Sequence, residues 1–308
     1  MNVVVCPGQG SQKVGMGRDL AERFPAARAV FDRVDAALGV PLSRLMWEGP
    51  EEELTLTHNA QPAILAHSAA VLAVAGDKLA PVAMAAGHSL GEYSAYVAAG
   101  ALTVEDAARL VRRRGELMLE AGKARPGAMA AILGLSTAEV AEACSAASQA
   151  GAVAVAANQN APDQTVISGD PAAVEAAGAR CKELGAKRVI PLKVSGAFHS
   201  PLMQPAQDGL DEALAAVAFQ APRFPVVANA TAMPVREAGE ARRQLVAQLT
   251  APVRWVACAE TLAREAPGAC FIEVGPGNVL SGLVRRIVPG SETLALGTAA
   301  DLDRFLAA

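Results

Sequence analysis

"AMAAGHSLGEYSAYVAAG" (residues 83–100) runs small apolar residues straight into Gly87-His88-Ser89-Leu90-Gly91, then resumes a helical pattern at once. Two readings fit. Ser89 is either an ordinary cap between a strand and a helix, or the nucleophile of a G-x-S-x-G elbow. In such an elbow a strained turn holds the serine hydroxyl at a helix N-terminus. Glycine on both flanks permits the positive φ and the close packing that this turn demands. The surrounding chain decides between the two.

Upstream, Asn2 to Cys6 reads as a short buried strand stopped by Pro7-Gly8, and helical periodicity runs from about Arg18 to Leu38. Ala60-Gln61-Pro62 opens a long apolar helix to about Val74, with Pro62 near the first helical position. Val82–Ala86 is a strand and Leu90–Ala99 a helix. Thr103-Val104-Glu105-Asp106 has the form of a capping box for a helix through Leu119. Alternating strands and helices predict an α/β class with a mostly parallel sheet covered on both faces.

The middle of the chain changes pattern. Strands at 128–133, 153–157, 165–168 and 187–192 and helices at 136–147 and 171–184 give the order β-α-β-β-α-β of a ferredoxin-like unit. Ala121-Gly122-Lys123-Ala124-Arg125-Pro126-Gly127 reads as the linker into it. The expected architecture is a larger hydrolase-like α/β domain, residues 1–124 and 196–308, interrupted by a ferredoxin-like insert at 125–195. Helices near Leu202–Val217 and Arg242–Leu249 and a strand at Cys270–Val274 follow.

Composition narrows the function classes. The 308 residues are 52% hydrophobic and 19% charged, with a formal net charge of -4, which disfavours nucleic-acid or anionic-membrane binding. Cys6, Cys144, Cys181, Cys258 and Cys270 are odd in number and lack a C-x-x-C pair, which argues against a disulfide framework and a zinc site. Cys6, Cys258 and Cys270 read as buried. The N-terminal apolar stretch is too short for a signal peptide, and no apolar run reads as a membrane span. A reducing cytoplasm is the expected setting.

A serine needs a base, and histidine is the usual one. Of four histidines, His58 reads as a cap for the helix at Gln61, His67 as a core residue, and His88 as too close to Ser89 to serve. His199, in a Gly/Ser/Pro-bounded turn where the insert rejoins the main domain, is the candidate base, because junction clefts gather ligand sites. The carboxylates between serine and histidine (Glu92, Glu105, Asp106, Asp163, Asp170) offer no clear third triad member.

Six blocks carry a resemblance: "PGQGSQKVGMG" (7–17), "GHSLGEYSA" (87–95), "RRRGELM" (112–118), "GAFHSPLM" (196–203), "QLTAPVRW" (248–255) and "EVGPGNVLSGL" (273–283). In the same order from end to end, they resemble the malonyl-CoA:acyl-carrier-protein transacylases of fatty-acid synthesis. They are similar also to the acyltransferase domains of polyketide synthases.

The resemblance implies roles residue by residue. Ser89 would take malonyl as an ester, and His199 would be base and then acid, oriented by the backbone carbonyl of Gln248. The amides of Gln9 and Leu90 would form the oxyanion hole. Arg114 would hold the malonyl carboxylate with its planar fork. Arg112 and Arg113 read as a solvated face. His88, Asn160 (in an Asn158–Asn160 loop) and Phe198 would line the pocket. Phe198 resembles the malonyl-selective members, and Ala197 stands where such enzymes often have proline.

The implied activity is malonyl transfer from malonyl-CoA to the phosphopantetheine thiol of acyl carrier protein, with no cofactor and no metal, by a monomer. Competing readings are a trans-acting polyketide-synthase acyltransferase, the malonyl transferase of malonate decarboxylase, a serine esterase, and a non-catalytic carrier-docking module. Lys123, Arg125, Lys187, Arg188 and Lys193 at the insert's borders are candidates for a basic rim facing an acidic carrier.

Overall fold

The computed structural model describes residues 1–149, 151–194 and 196–308. Ser195, where the insert is expected to end, and Ala150 within it lie outside the described residues. Ten strands are present among them: β1 (Asn2–Cys6), β2 (Val82–Gly87), β3 (Ala128–Leu133), β4 (Ala154–Ala161), β5 (Gln164–Gly169), β6 (Arg188–Pro191), β7 (Val226–Val227), β8 (Pro234–Val235), β9 (Cys270–Val274) and β10 (Thr293–Leu296).

The larger sheet has the order β10-β9-β1-β2-β7-β8, parallel throughout except for the antiparallel β7–β8 pair. Its centre is β1, whose Val3-Val4-Val5-Cys6 run is buried without a polar alternate. That is the pattern of a strand covered on both faces. Val4 and Cys6 point into one core with helices Pro25–Leu38, Thr57–Ala75 and Val104–Ala124. Val3 and Val5 point into the other, against Trp255, Leu262 and Leu280.

The second sheet, β4-β5-β3-β6, is antiparallel throughout, with helices Thr137–Ala147 and Pro171–Glu183 on one face. Period-two alternation sorts its residues. Ala130, Ile132 and Ile167 pack under the helices, whereas Met129 and Val166 join the main core and roof the cleft above Ser89. A bridge between β4 and Val253, with Gln159 N–H donating to Val253 O at 2.9 Å, ties this roof to the segment that leads into helix Trp255–Glu265, which packs in the same core as Val3 and Val5.

Several boundaries differ from the sequence reading, each for a local reason. The Arg18–Leu38 stretch is two helices, because Pro25 holds Phe24 extended (φ -122, ψ 114). The helix after Thr103 runs past Leu119 to Ala124, leaving 125–127 as linker. Pro62 lies inside a helix that begins at Thr57, so His58 is in its first turn and not a cap before Gln61. A proline there leaves the His58 carbonyl without its helical donor, and Arg112 Nη1 donates to it at 2.8 Å instead. Arg112 is therefore docked, not part of a solvated face.

The 23-residue stretch Thr57–Leu79 is long and apolar enough to cross a membrane, contrary to the sequence reading, but its helix is packed into the main core. Cys270 is half-buried, not buried; all five cysteines are free. Residues 158–160 lie in strand β4, where register shifts bend it, and not in a loop.

The strand-to-helix turn at residues 87–91 is packed too tightly for side chains at either glycine. A β-carbon on Gly87 would lie 1.9 Å from the Gly91 carbonyl, and one on Gly91 would lie 2.2 Å from Cys6 O. Both glycines are required by packing. Neither has positive φ; that conformation falls on Ser89 itself (φ 52). Gly91→Ala is expected to destabilise the protein by about 2–4 kcal/mol, read as a lowered midpoint in denaturant unfolding; an unchanged midpoint would contradict this packing.

Candidate active site

The elbow carries Ser89 at the carboxyl end of β2, with helix Gly91–Ala98 behind it. Its Oγ lies 2.8 Å from His199 Nε2. His199 Nδ1 lies 3.0 Å from the Gln248 carbonyl, which can only accept. That bond puts the ring proton on Nδ1 and leaves the Nε2 lone pair facing the serine hydroxyl. A backbone carbonyl fills the position that a carboxylate holds in a triad. His199, like Ser89, has a left-handed backbone (φ 56), and its turn is tied by Ser200 Oγ donating to Ala197 O at 2.7 Å.

Burial, and then the charge of Arg114, pull the His199 imidazole down to about 3, so the ring is neutral at pH 7 and able to accept a proton. Arg114 is itself buried. Its Nη1 donates to Gln61 Oε1 at 2.7 Å, and its Nη2 to Ser89 Oγ at 3.0 Å and Gln248 Oε1 at 2.9 Å. Burial pulls its pKa down from the usual range.

The expected oxyanion donors sit at the same point. Gln9 and Leu90 line the cavity beside Ser89, and among the described residues neither backbone amide donates to a protein acceptor. The Gln9 loop comes this close because Gly8 packs on the elbow: a β-carbon there would lie 2.5 Å from His88 O. His88 turns away from the serine, its Nε2 2.8 Å from Asn160 Oδ1 and its ring 5.7 Å from that of Trp255. Phe198 is buried along the wall.

These groups share one cavity of about 360 Å³, roofed by Met129, Asn158, Asn160 and Val166 from the second sheet. Hollows of about 680 and 660 Å³ elsewhere do not touch Ser89. No group of three or more His, Cys, Asp or Glu with metal-binding geometry occurs among the described residues.

Two side chains at the site, Asn229 and Gln61, escaped the sequence reading, and a third, Glu92, was weighed only as a triad acid. Asn229 Oδ1 accepts from Ser89 N–H at 2.7 Å while its Nδ2 donates to Gly87 O at 2.7 Å, so one amide fixes both sides of the nucleophile. It stands just past β7, at the carboxyl end of a parallel strand where sites of such sheets form, but a two-residue strand leaves little signal. Gln61 holds Arg114. Glu92 is fully buried beneath the elbow, bonded to Asn229 N–H and Gln248 Nε2.

Of the five border cations, Lys123 lies in the last turn of helix Val104–Ala124. Arg125 pairs with Asp170 at 2.8 Å, Lys187 and Arg188 stand where β6 begins, and only Lys193, beyond its other end, lines the cavity.

Residues 3–297 match the model of the acyl transferase domain. The chain belongs to the acyl transferase domain family. Within that family it is 47% identical over 290 residues to the malonyl CoA-acyl carrier protein transacylase of Bacillus subtilis, covering 94% of this chain and 91% of that one. It superposes on an acyl carrier protein S-malonyltransferase from Vibrio cholerae with a TM-score of 0.94 at 44% identity, covering 98% of each chain. A malonyl-transacylase solved in complex with a type II polyketide acyl carrier protein gives 0.94 at 43% identity, covering 99% of this chain and 98% of that one.

For this acyl transferase the His199 geometry has a spectroscopic consequence. An ordinary histidine is mostly protonated at pH 5.5, whereas His199, depressed to about 3, should still show a neutral, Nδ1-protonated ring in nitrogen NMR. An imidazolium signal for His199 at pH 6 would contradict the assigned environment.

Proposed function

We propose that this chain transfers malonyl from malonyl-CoA to the phosphopantetheine thiol of acyl carrier protein, through a malonyl ester on Ser89. The observation that carries the reading is a single point of convergence. Ser89 Oγ is 2.8 Å from a neutral imidazole and 3.0 Å from a buried guanidinium. A hydrolase acting on neutral esters has no use for the second.

In the first half-reaction His199 Nε2 takes the Ser89 proton as Oγ attacks the thioester carbonyl. The amides of Gln9 and Leu90 donate to the oxyanion. Collapse breaks the C–S bond, and His199 returns the proton to the CoA sulfur. In the second half the carrier thiol gives its proton to His199, attacks the ester carbonyl, and Ser89 leaves with the proton restored.

Arg114 holds the malonyl carboxylate. Once Ser89 is an ester, Oγ no longer needs the Nη2 hydrogen, which becomes free for the substrate. His88, Asn160 and Phe198 shape the pocket without entering the proton transfers. The named relatives support malonyl-CoA and acyl carrier protein as the two partners. The complex with a polyketide carrier supports a second reading, in which the acceptor belongs to polyketide synthesis. A cytoplasmic setting fits either.

Mixing with malonyl-CoA and reading intact mass tests the proposal. Wild type should gain one malonyl group, Ser89→Ala none, and His199→Ala should acylate about 10⁶-fold more slowly. A full-rate adduct in Ser89→Ala would overturn the mechanism.

A further inference from the structure

Beneath the reacting serine lies a carboxyl that this chemistry does not use. Glu92 Oε2 accepts from Asn229 N–H at 3.0 Å and from Gln248 Nε2 at 2.8 Å, while its Oε1 has no partner. Gln248 passes the contact on, its own Oε1 accepting from Arg114 Nη2 at 2.9 Å. The other acceptors of Arg114, Gln61 Oε1 and Ser89 Oγ, are neutral. The buried guanidinium thus has no carboxylate in direct contact, and Glu92, one side-chain amide away, is the carboxylate whose charge acts on it. Burial pushes the Glu92 carboxyl up to about 7, against its hydrogen bonds from Asn229 and Gln248 and the pull of Arg114.

We propose that Glu92 is a positioning residue for acyl-group selectivity: through the Gln248 amide it supplies the counter-charge of Arg114 and sets the balance between charged and neutral acyl groups. The inference rests on Arg114 being the malonyl carboxylate clamp. In the empty site Glu92 offsets a cation that would otherwise be buried unpaired. A malonyl carboxylate then arrives as a second anion and gains less than it would beside an uncompensated cation. An acetyl group brings no charge, and the site accepts it only to the extent that Glu92 already compensates Arg114. Removing the charge while keeping the shape therefore sharpens the malonyl preference. A purely structural role would depress both acyl groups alike.

Glu92→Gln makes this change. The amide oxygen can accept from both donors that now bond to Oε2, and the amide nitrogen takes the place of the unpartnered Oε1. At about pH 8.5, where a carboxyl titrating at about 7 is ionised, single-turnover acylation by malonyl-CoA and by acetyl-CoA, read by intact mass, gives the ratio of rates for wild type, Glu92→Gln, Gln248→Leu and Arg114→Ala. The ratio should rise about 3- to 10-fold in Glu92→Gln and collapse in Arg114→Ala. Gln248→Leu cuts the amide link and also the bond to the Ser89 carbonyl, which slows both acylations, but keeps the backbone bond to His199; the ratio, not either rate, should shift upward too, and it serves if Glu92→Gln fails to fold. A ratio unchanged or lowered in Glu92→Gln and Gln248→Leu, with Arg114→Ala collapsing, would overturn the role of Glu92 alone. A ratio unchanged in Arg114→Ala would overturn the clamp itself.

Discussion

Ser89 holds a left-handed backbone that its β-carbon resists, at a cost of about 1–2 kcal/mol. The peptide is kept there from both sides: Asn229 accepts from its N–H, and Gln248 Nε2 donates to its carbonyl at 2.9 Å. Two part-buried hydrogen bonds offset strain of that size. The same Gln248 orients His199 through its backbone oxygen and meets Arg114 through its side-chain oxygen. Ser89, His199 and Arg114 are therefore registered to one residue, so a shift of the 248 backbone would move all three together.

Low solvent access then sets the chemistry. The cleft floor is a parallel sheet and its roof the underside of a small antiparallel one, neutral side chains that include Met129, Val166, Asn158 and Asn160, so charges inside are expensive unless answered. His199 responds by staying neutral. Arg114 cannot neutralise, and is answered in part by acceptors, in part by Glu92. In the proposed reaction a substrate carboxylate completes the pairing, which would make substrate charge part of the electrostatic balance of the site.

Where the sequence was legible, one signal dominated. The unbroken apolar run of β1, the elbow between two glycines, and the Ser136 cap on its helix each imposed local structure without competition. The rest depended on contacts far along the chain. Pro62 reads as a helix start, yet the helix begins earlier because Arg112, fifty residues on, takes the carbonyl that proline releases. Asn158 and Asn160 look like turn residues, but pairing with β5 and Val253 draws them into a strand. Asn229 follows a strand of two residues, and the helix Trp255–Glu265 was not anticipated at all. Of the site, Ser89 and His199 were readable from residue type and turn context. Arg114, Gln9, Leu90 and Gln248 came only through the family resemblance. Asn229 and Gln61 came through neither, since an amide that fixes a backbone leaves no motif. Glu92 was weighed as a triad acid, whereas its bonds are to Asn229 and Gln248, not to His199.

In the proposed reaction the ester on Ser89 is a relay between two thiols and not a step toward hydrolysis. The direct test is to isolate the malonyl-enzyme, free of CoA, and follow its fate in buffer alone and with phosphopantetheinylated acyl carrier protein. The ester should persist in buffer and pass to the carrier thiol, appearing there as one malonyl group per carrier. Loss of malonyl to water at the same rate with and without the carrier would contradict the account.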